Sequence, residues 1–528
     1  MRLFDFFKDK VNRMEENLGV FKKDVFELEG VPAFREYYTL FIFVWQAIYK
    51  GFYAAWHTVP APTINEPKAR TRTMATMNAG KMACSQMARY VWNEQCKISV
   101  SMAGRDENDK TPDKLDCFLQ KVLRDNRFYT AFGDLLEKAF ALGGGALREW
   151  VEVPKDENGN DISEGKIRIG YTMATQFVPT AWNSGKVTAG IFLSREAKDG
   201  FYYTVVEWHK LDGTTYRVTN ELFRQPIKAE EPQNILGWSY SLDKVYPLLS
   251  PDTVIENVEH AFFQYIRPFG ANYADDNSPI GMSIYATALN TLHGLDIMFD
   301  SLQREFVLGK KRIIAPARVM KMTTLGSGTP QRYFDANDEV WEALATDSAD
   351  DLKVIDNSVS LRVSEHIEGI NGDLSILCAQ IGFDPGTLSF DQQKGLKTAT
   401  EVISENSKTF GTVKAHENII KDQLMEMVHA IFELAVHYGL SFDGQTVESL
   451  ISGGYNVSVT FDDSIIQDKD AEINQGIALV GASLMSKRKF MMDVLGYTPE
   501  KADAELAQIA EEGKGNAVEV TRLFGGMN

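Results

Sequence analysis

From Thr398 to Tyr438 the chain carries no proline and a single glycine, Gly411, while apolar residues recur at helical spacing. At about 1.5 Å of rise per residue, these roughly 40 residues form a helix on the order of 60 Å long. Ordinary domains are narrower than that, so the helix must run through or between packed units. The 528 residues, at about 150 per unit, allow three or four such units.

The sequence leading up to that helix changes character twice. Residues 1–110 read as helical, with apolar residues at helix spacing through 4–49 and through Met74–Trp92. The first sixteen residues, MRLFDFFKDKVNRMEE, turn charged within five positions, unlike a secretory signal. A polar break (Asp106–Asp113) precedes a helical run, Leu115–Leu142, which closes on Gly143-Gly144-Gly145. From Ala146 to about Arg224 the apolar period falls from 3.6 to 2. Segments such as IRIGYT (167–172), TAGIFL (188–193), FYYTVVEWHK (201–210) and TTYRVT (214–219) alternate β-branched and aromatic residues between Gly-containing turns. That pattern predicts an antiparallel meander.

Beyond a turn-rich connector, Pro268–Pro279, one helix face is marked by Tyr285, Leu289, Leu292, Leu295, Phe299, Leu302 and Phe306. Periodicity lapses over 309–358, and a second helix is expected over Ser360–Ile381, stopped by Gly382, Pro385 and Gly386. A polar loop (388–397) leads into the long helix. A strand over Val457–Phe461 and a helical tail over 468–512 complete the pattern.

The stretch Tyr37–Trp56 has the length of a bilayer span, but nine of its twenty residues are aromatic and only four are Leu, Ile or Val. Gln46, Lys50 and Gly51 interrupt it, so a packed amphipathic helix is the expectation.

Catalytic and ligand-binding patterns are missing. GxxxxGK[ST], HExxH and GxSxG do not occur, which leaves no phosphate-cradling P-loop, zinc-protease helix or nucleophile elbow. Ser364, Glu365 and His366 are adjacent in a helix, where side chains point about 100° apart and cannot converge. His416, His429 and His437 are spaced too widely along the long helix to share a metal, and the acidic pairs Asp275-Asp276 and Asp462-Asp463 read as solvated turns. Cys84, Cys96, Cys117 and Cys378 show no CxxC spacing and are expected as buried thiols of a reducing compartment. No catalytic, cofactor or metal residue is expected. Two features survive this screen: the basic trio Lys310, Lys311 and Arg312, and the loop carrying Gln392, Gln393, Lys394 and Lys397. The charge sum, 55 basic minus 73 acidic or −18, argues against a protein that clasps nucleic acid over a broad basic face.

The order of parts resembles the portal proteins of tailed bacteriophages, also called head–tail connectors or minor capsid proteins. The type most similar is that of long-tailed phages of Gram-positive bacteria. The resemblance is carried by WxxIYKG (Trp45–Gly51), the β meander, FxxxRPxxANxxxxxSPxGxSIY (Phe263–Tyr285), a helix ending in GKKRI, the helix–loop–long-helix series, and TFDDSIIQDKDAE (460–472).

That resemblance implies an α+β fold of portal-like architecture, with a mixed α/β wing, long stem helices, a small clip, a very long channel-to-wing helix and a helical crown. Mapped here, the wing is 1–250, helical over 1–145 and a meander over 146–225. A connector spans 251–281, stem helices 282–308 and 359–381, and the clip 309–358. The tunnel loop is 382–397, the long helix 398–440, a wing return strand 441–466 and the crown 467–528.

The same resemblance implies a non-enzymatic ring, usually of twelve subunits, at one capsid vertex. Double-stranded DNA is packaged and ejected through it, terminase and then a head–tail adaptor dock on it, and major capsid and scaffold proteins surround it. Assembly in the host cytoplasm, residence in the virion, and no membrane or cofactor are expected with it. The rival readings are a DNA-packaging ATPase, disfavoured by the missing P-loop, and a peripheral membrane protein anchored by 37–56.

Overall fold

The computed structural model describes residues 23–61, 70–103, 113–153, 164–227, 235–309, 313–314, 321–324, 330–333, 355–356, 360–389, 407–462, 469–495, 497 and 501–509. The helical reading of 4–22, the polar break from 106 to 112, Asp463 and residues 398–406 of the long helix lie outside these.

The chain enters through a two-residue strand, β1 (Lys23–Asp24), and a helical segment over residues 35–49 whose last part is α1 (Phe43–Tyr49). A π-helical turn at Tyr38–Ile42 widens this segment ahead of α1. Tyr37, Tyr38, Ile42, Trp45 and Ile48 are buried, so the aromatic stretch is a packed helix. Gly51, at φ +77°, turns the chain out of it. A small hairpin follows, β2 (Thr58–Pro60) with β3 (Thr71–Thr73), then α2 (Ala79–Val91).

Residues 97–102 correct the all-helical reading of 1–145: they form strand β4 (Lys97–Met102). KISVSM alternates at period 2 over only six residues, too short to stand out beside the flanking helices, and its partner lies some 350 residues away. After it come α3 (Lys114–Asp125), capped by the Asp113 side chain on Leu115 N–H, and α4 (Phe128–Leu142), ended by Gly143 at φ +81°.

The meander is real but divided between two sheets. Strands β5 (Gly145–Glu152) and β6 (Lys166–Met173) pair with each other, after which a 3-10 turn at Ala174–Gln176 redirects the chain. Strands β7 (Phe177–Asn183), β8 (Lys186–Lys198), β9 (Phe201–Asp212) and β10 (Thr215–Pro226) then pair in sequence. The turns at Ser184-Gly185 and Asp199-Gly200 place both residues at positive φ, the twist that two-residue hairpins require.

The expected connector over 251–281 also carries structure. Strand β11 (Ile235–Tyr240), ahead of it, and β12 (Asp252–Glu256), within it, both pair with β10, and β13 (Phe263–Ile266), also within it, pairs with β5. The result is a seven-stranded antiparallel sheet running β1-β11-β10-β9-β8-β7, with β12 also on β10, and a three-stranded sheet β13-β5-β6.

The two helices expected as the stem are α5 (Leu289–Leu308) and α6 (Val363–Ile381). Between them the described pieces of 309–358 are not structureless but four short strands. Ile313–Ile314 pairs with Ile355–Asp356, and Lys321–Thr324 with Pro330–Tyr333.

The long helix α7 is described over Ser407–His437 and packs against α2, β5, β6 and β13. It buries Ile420, Leu424, Met427, Val428, Ile431 and Phe432 in the main core, which it shares with α1, α2, α4 and both stem helices. β14 (Tyr455–Thr460) is the partner of β4. Helices α8 (Lys469–Gly481) and α9 (Lys487–Asp493) and a helical stretch at 501–509 form the tail. Cys84, Cys96 and Cys378 are buried free thiols, whereas Cys117 is half-buried.

Candidate functional site

Helices α5 and α6 lie side by side, and undescribed chain precedes and follows the α6 segment. Nineteen residues separate the ends of α6 by about 28 Å. At the first end Glu305 accepts from Arg362 Nε and Nη2, each at 3.2 Å. The guanidinium beside it holds the Glu305 carboxyl below its usual range. Gly309 sits hard against Leu361 there, with no room for a Cβ.

At the second end α6 stops on Gly382, at φ +86°. Two reciprocal bonds then tie the chain to the start of α7: Asp384 N–H donates to Thr409 Oγ1 and Thr409 N–H to Asp384 Oδ2, both at 2.8 Å. Thr412 Oγ1 adds a bond to Gly382 C=O at 2.8 Å. Asp384 and Thr409 are both buried, so the neck of this loop is fixed.

Lys310, Lys311 and Arg312, and Gln392, Gln393, Lys394 and Lys397, lie outside the described residues. The described residues flanking them in the chain carry the Glu305–Arg362 pair, before and after 310–358, and the Asp384–Thr409 pair, before and after 390–406.

Two buried acids, one turn apart on α5, attach this rod to the rest of the chain. Asp296 Oδ1 accepts from Met77 N–H and Thr76 Oγ1, both at 2.8 Å, while its Oδ2 lies 3.0 Å from His57 Nε2. Asp300 accepts from both terminal nitrogens of Arg72, at 2.8 and 2.6 Å, and from Ala75 N–H at 3.0 Å. Burial alone would raise the Asp300 pKa, but these donors hold it below the ordinary value. Trp56 stacks on His293 at 4.8 Å, so the segment around hairpin β2–β3 straps the stem across two turns.

The segment Phe263–Tyr285 forms a second joint. Tyr285 O–H donates to Trp45 C=O at 2.9 Å, Asn272 Nδ2 to Tyr37 Oη at 3.2 Å, and Tyr37 O–H to Gly281 C=O at 3.3 Å. Gly143 and Gly281 press backbone to backbone, and a Cβ on either would collide with the other's carbonyl oxygen. The first glycine of the Gly143-Gly144-Gly145 run thus serves a close approach between chain segments.

None of these groups forms a reactive constellation. His416 Nδ1 accepts from Phe269 N–H at 2.9 Å, His429 bonds the Tyr455 hydroxyl at 2.7 Å, and His366 lies 3.9 Å from Glu305. Asp275 Oδ1 accepts from Asn277 N–H within a turn. Among the described residues no three His, Cys, Asp or Glu side chains gather as metal ligands, and no helix is long and apolar enough to cross a membrane.

Asp296 and Asp300 were not singled out from the sequence. Their signal was two carboxylates at i and i+4 beside the Leu292–Leu295 stripe. Asp384 and Thr409 carried none, because their pairing crosses the undescribed loop.

The mixed sheets and packed helices make an α+β protein. A family sequence model described as phage portal protein, SPP1 Gp6-like, matches residues 41–519, and the chain belongs to that family. It is therefore a structural component of the phage particle and not an enzyme. No curated protein matches. Among solved structures, a chain from the neck of an empty GTA particle, computed with C6 symmetry, is similar at 12% identity and a TM-score of 0.35. That alignment covers 80% of this chain and 90% of the other.

Proposed function

We propose that the chain is one subunit of a homo-oligomeric ring at a capsid vertex, through whose channel double-stranded DNA enters and leaves. The observation that carries this reading is the free end of the stem rod. Phe306, Val307 and Leu308 are consecutive and 52%, 62% and 50% exposed, with Leu361 at 43% in the same region. Successive helical residues point about 100° apart, so this helix end is apolar around much of its circumference. A surface of that kind calls for neighbours on more than one side, which a closed ring of copies supplies.

The regional assignment follows the resemblance. Residues 1–250 and 441–466 make the wing, joined through 251–281 to stem helices 282–308 and 359–381. Residues 309–358 make the clip, 382–397 the tunnel loop, 398–440 the channel-to-wing helix and 467–528 the crown. In this reading Gln392, Gln393, Lys394 and Lys397 face the DNA. Lys310, Lys311 and Arg312 sit where terminase and later the head–tail adaptor dock.

A net charge of −18 suits a conduit, since every phosphate–cation contact adds affinity and would slow sliding. Assembly in the host cytoplasm, among major capsid and scaffold proteins, completes the proposal. Negative-stain images of the purified chain test it: rings with a central hole, twelvefold in the expected case, support it, and a monodisperse monomer overturns it.

A further inference from the structure

Strand β14 is paired on one side only, by β4. The phase of that ladder follows from the bonds around it. Ala103 N–H donates to Gly454 C=O at 2.9 Å, just past the strand end. On the other side of β4, Val100 N–H donates to Asp116 at 3.0 Å and Met102 N–H to Asp113 at 2.9 Å. Bonded positions alternate along an antiparallel pair, so Asn456, Ser458 and Thr460 bond β4 while Tyr455, Val457 and Val459 turn their backbone groups outward. Among the described residues nothing bonds those outward groups. This edge lies at the surface: Asn456, Ser458 and Thr460 are exposed, Tyr455 and Val457 half-buried, and Val459 alone is buried.

Other strand edges are dressed by side chains. Asn126 bonds Ile167 C=O and Ile169 N–H along β6, at 2.9 and 3.0 Å. Gln120 joins Asp113 and Asp116 on β4, donating to Ile98 C=O at 2.7 Å. Tyr38 O–H donates to Phe177 C=O on β7. The edge of β14 has none of this, and its sequence YNVSVT has no proline and no charge to keep another strand away.

The chain beyond Ile509, the last described residue, carries a matching pattern. Residues 517–524 (AVEVTRLF) are flanked by Gly513 and Gly515 before and Gly525-Gly526 after, a strand signature between breakers. Val518 and Val520 alternate with Glu519 and Thr521, as Val457 and Val459 alternate with Ser458 and Thr460 in β14. The tail between the two is short. Its first helix, α8, has 13 residues and rises about 20 Å. Arg488 of α9 donates to Asp503 at 2.6 Å, so the tail folds on itself, and residues 510–516 reach up to about 24 Å.

We propose that residues 517–523 add a strand to the free edge of β14 in the same chain, completing the ladder and fastening the tail helices to the body. Strand addition satisfies the outward backbone groups, and the alternation of valines with polar residues keeps one face of the enlarged sheet apolar and the other polar. The tether holds the segment at roughly millimolar effective concentration, ahead of a second copy in dilute solution. The contact does not depend on the ring reading.

The test uses the full chain and two measurements. Val518→Pro with Glu519→Pro removes one ladder donor in either register. Amide hydrogen exchange of the 453–461 peptide should become at least about tenfold faster in that variant, with peptides from β9 and β10 exchanging as in the parent. In a Cys117→Ser background, Ser458→Cys with Thr521→Cys should be joined by a short bismaleimide into a product of monomer size. A mixture of the two single-cysteine chains should give no dimer. Unchanged exchange at 453–461, or no internal crosslink, would overturn the strand addition. Dimers from the mixture would give the edge to another copy and overturn the same-chain contact.

Discussion

His57 Nε2 lies 3.0 Å from Asp296 Oδ2, a buried contact between residues 239 positions apart. It ties α5 to the segment before α2, since Asp296 also holds Thr76 and Met77. Asp296→Ala would strand three polar partners at once, the buried His57 and the half-buried Thr76 and Met77. The expected loss is about 3–5 kcal/mol, read from denaturant midpoints, against less than about 1 kcal/mol for the exposed Gln303→Ala.

Gly143→Ala should be far costlier than an ordinary glycine replacement. It combines a positive φ with a collision against the Gly281 carbonyl, so a loss above about 2 kcal/mol is expected from thermal melting. Gly200→Ala, also at positive φ but with open space around it, isolates the strain from the collision.

Glu149 is buried, and burial pushes its carboxyl up to about 8. Between its ordinary value of 4.5 and about 8 the unfolded chain releases a proton that the folded chain keeps. Its contribution to stability therefore falls as pH rises through that window, by up to about 1.4 kcal/mol per pH unit. Glu149→Gln should flatten the slope in denaturant titrations at pH 5, 6, 7 and 8.

His416 works in the opposite direction. Burial lowers its pKa to about 4, and its Nδ1 accepts from Phe269 N–H, which requires the neutral ring. Stability should be lost as pH falls from the ordinary 6.5 towards 4, where the unfolded chain takes up a proton that the folded chain refuses. His416→Gln should remove this acid-side loss while Glu149→Gln leaves it in place.

On the ring reading, assembly and transport should separate at two places, the loop and the basic trio. Because Asp384 and Thr409 bond each other directly, replacing Gln392, Gln393, Lys394 and Lys397 by Ala should leave rings intact and reduce retention of packaged DNA. Replacing Lys310, Lys311 and Arg312 by Ala should weaken partner docking at an unchanged melting temperature. Normal packaging by either variant in an assembly assay removes that group from the functional surface.

The elements legible in the sequence were those whose signal is local and long. The stem helices, the long helix and the hairpins at Asp199-Gly200 follow from periodicity and turn chemistry over neighbouring residues, and so does the stop at Gly382. The order of these elements was enough to carry the resemblance to portal proteins. Pairing was not legible, because it depends on residues hundreds of positions apart. Tertiary structure alone decided that β4 joins β14, that β5 and β6 leave the meander to take up β13, and that Asp296 and Asp300 face the segment around β2–β3 instead of solvent. Helical periodicity reports which face is apolar, but the position of a hydrogen-bond partner depends on how the whole chain packs.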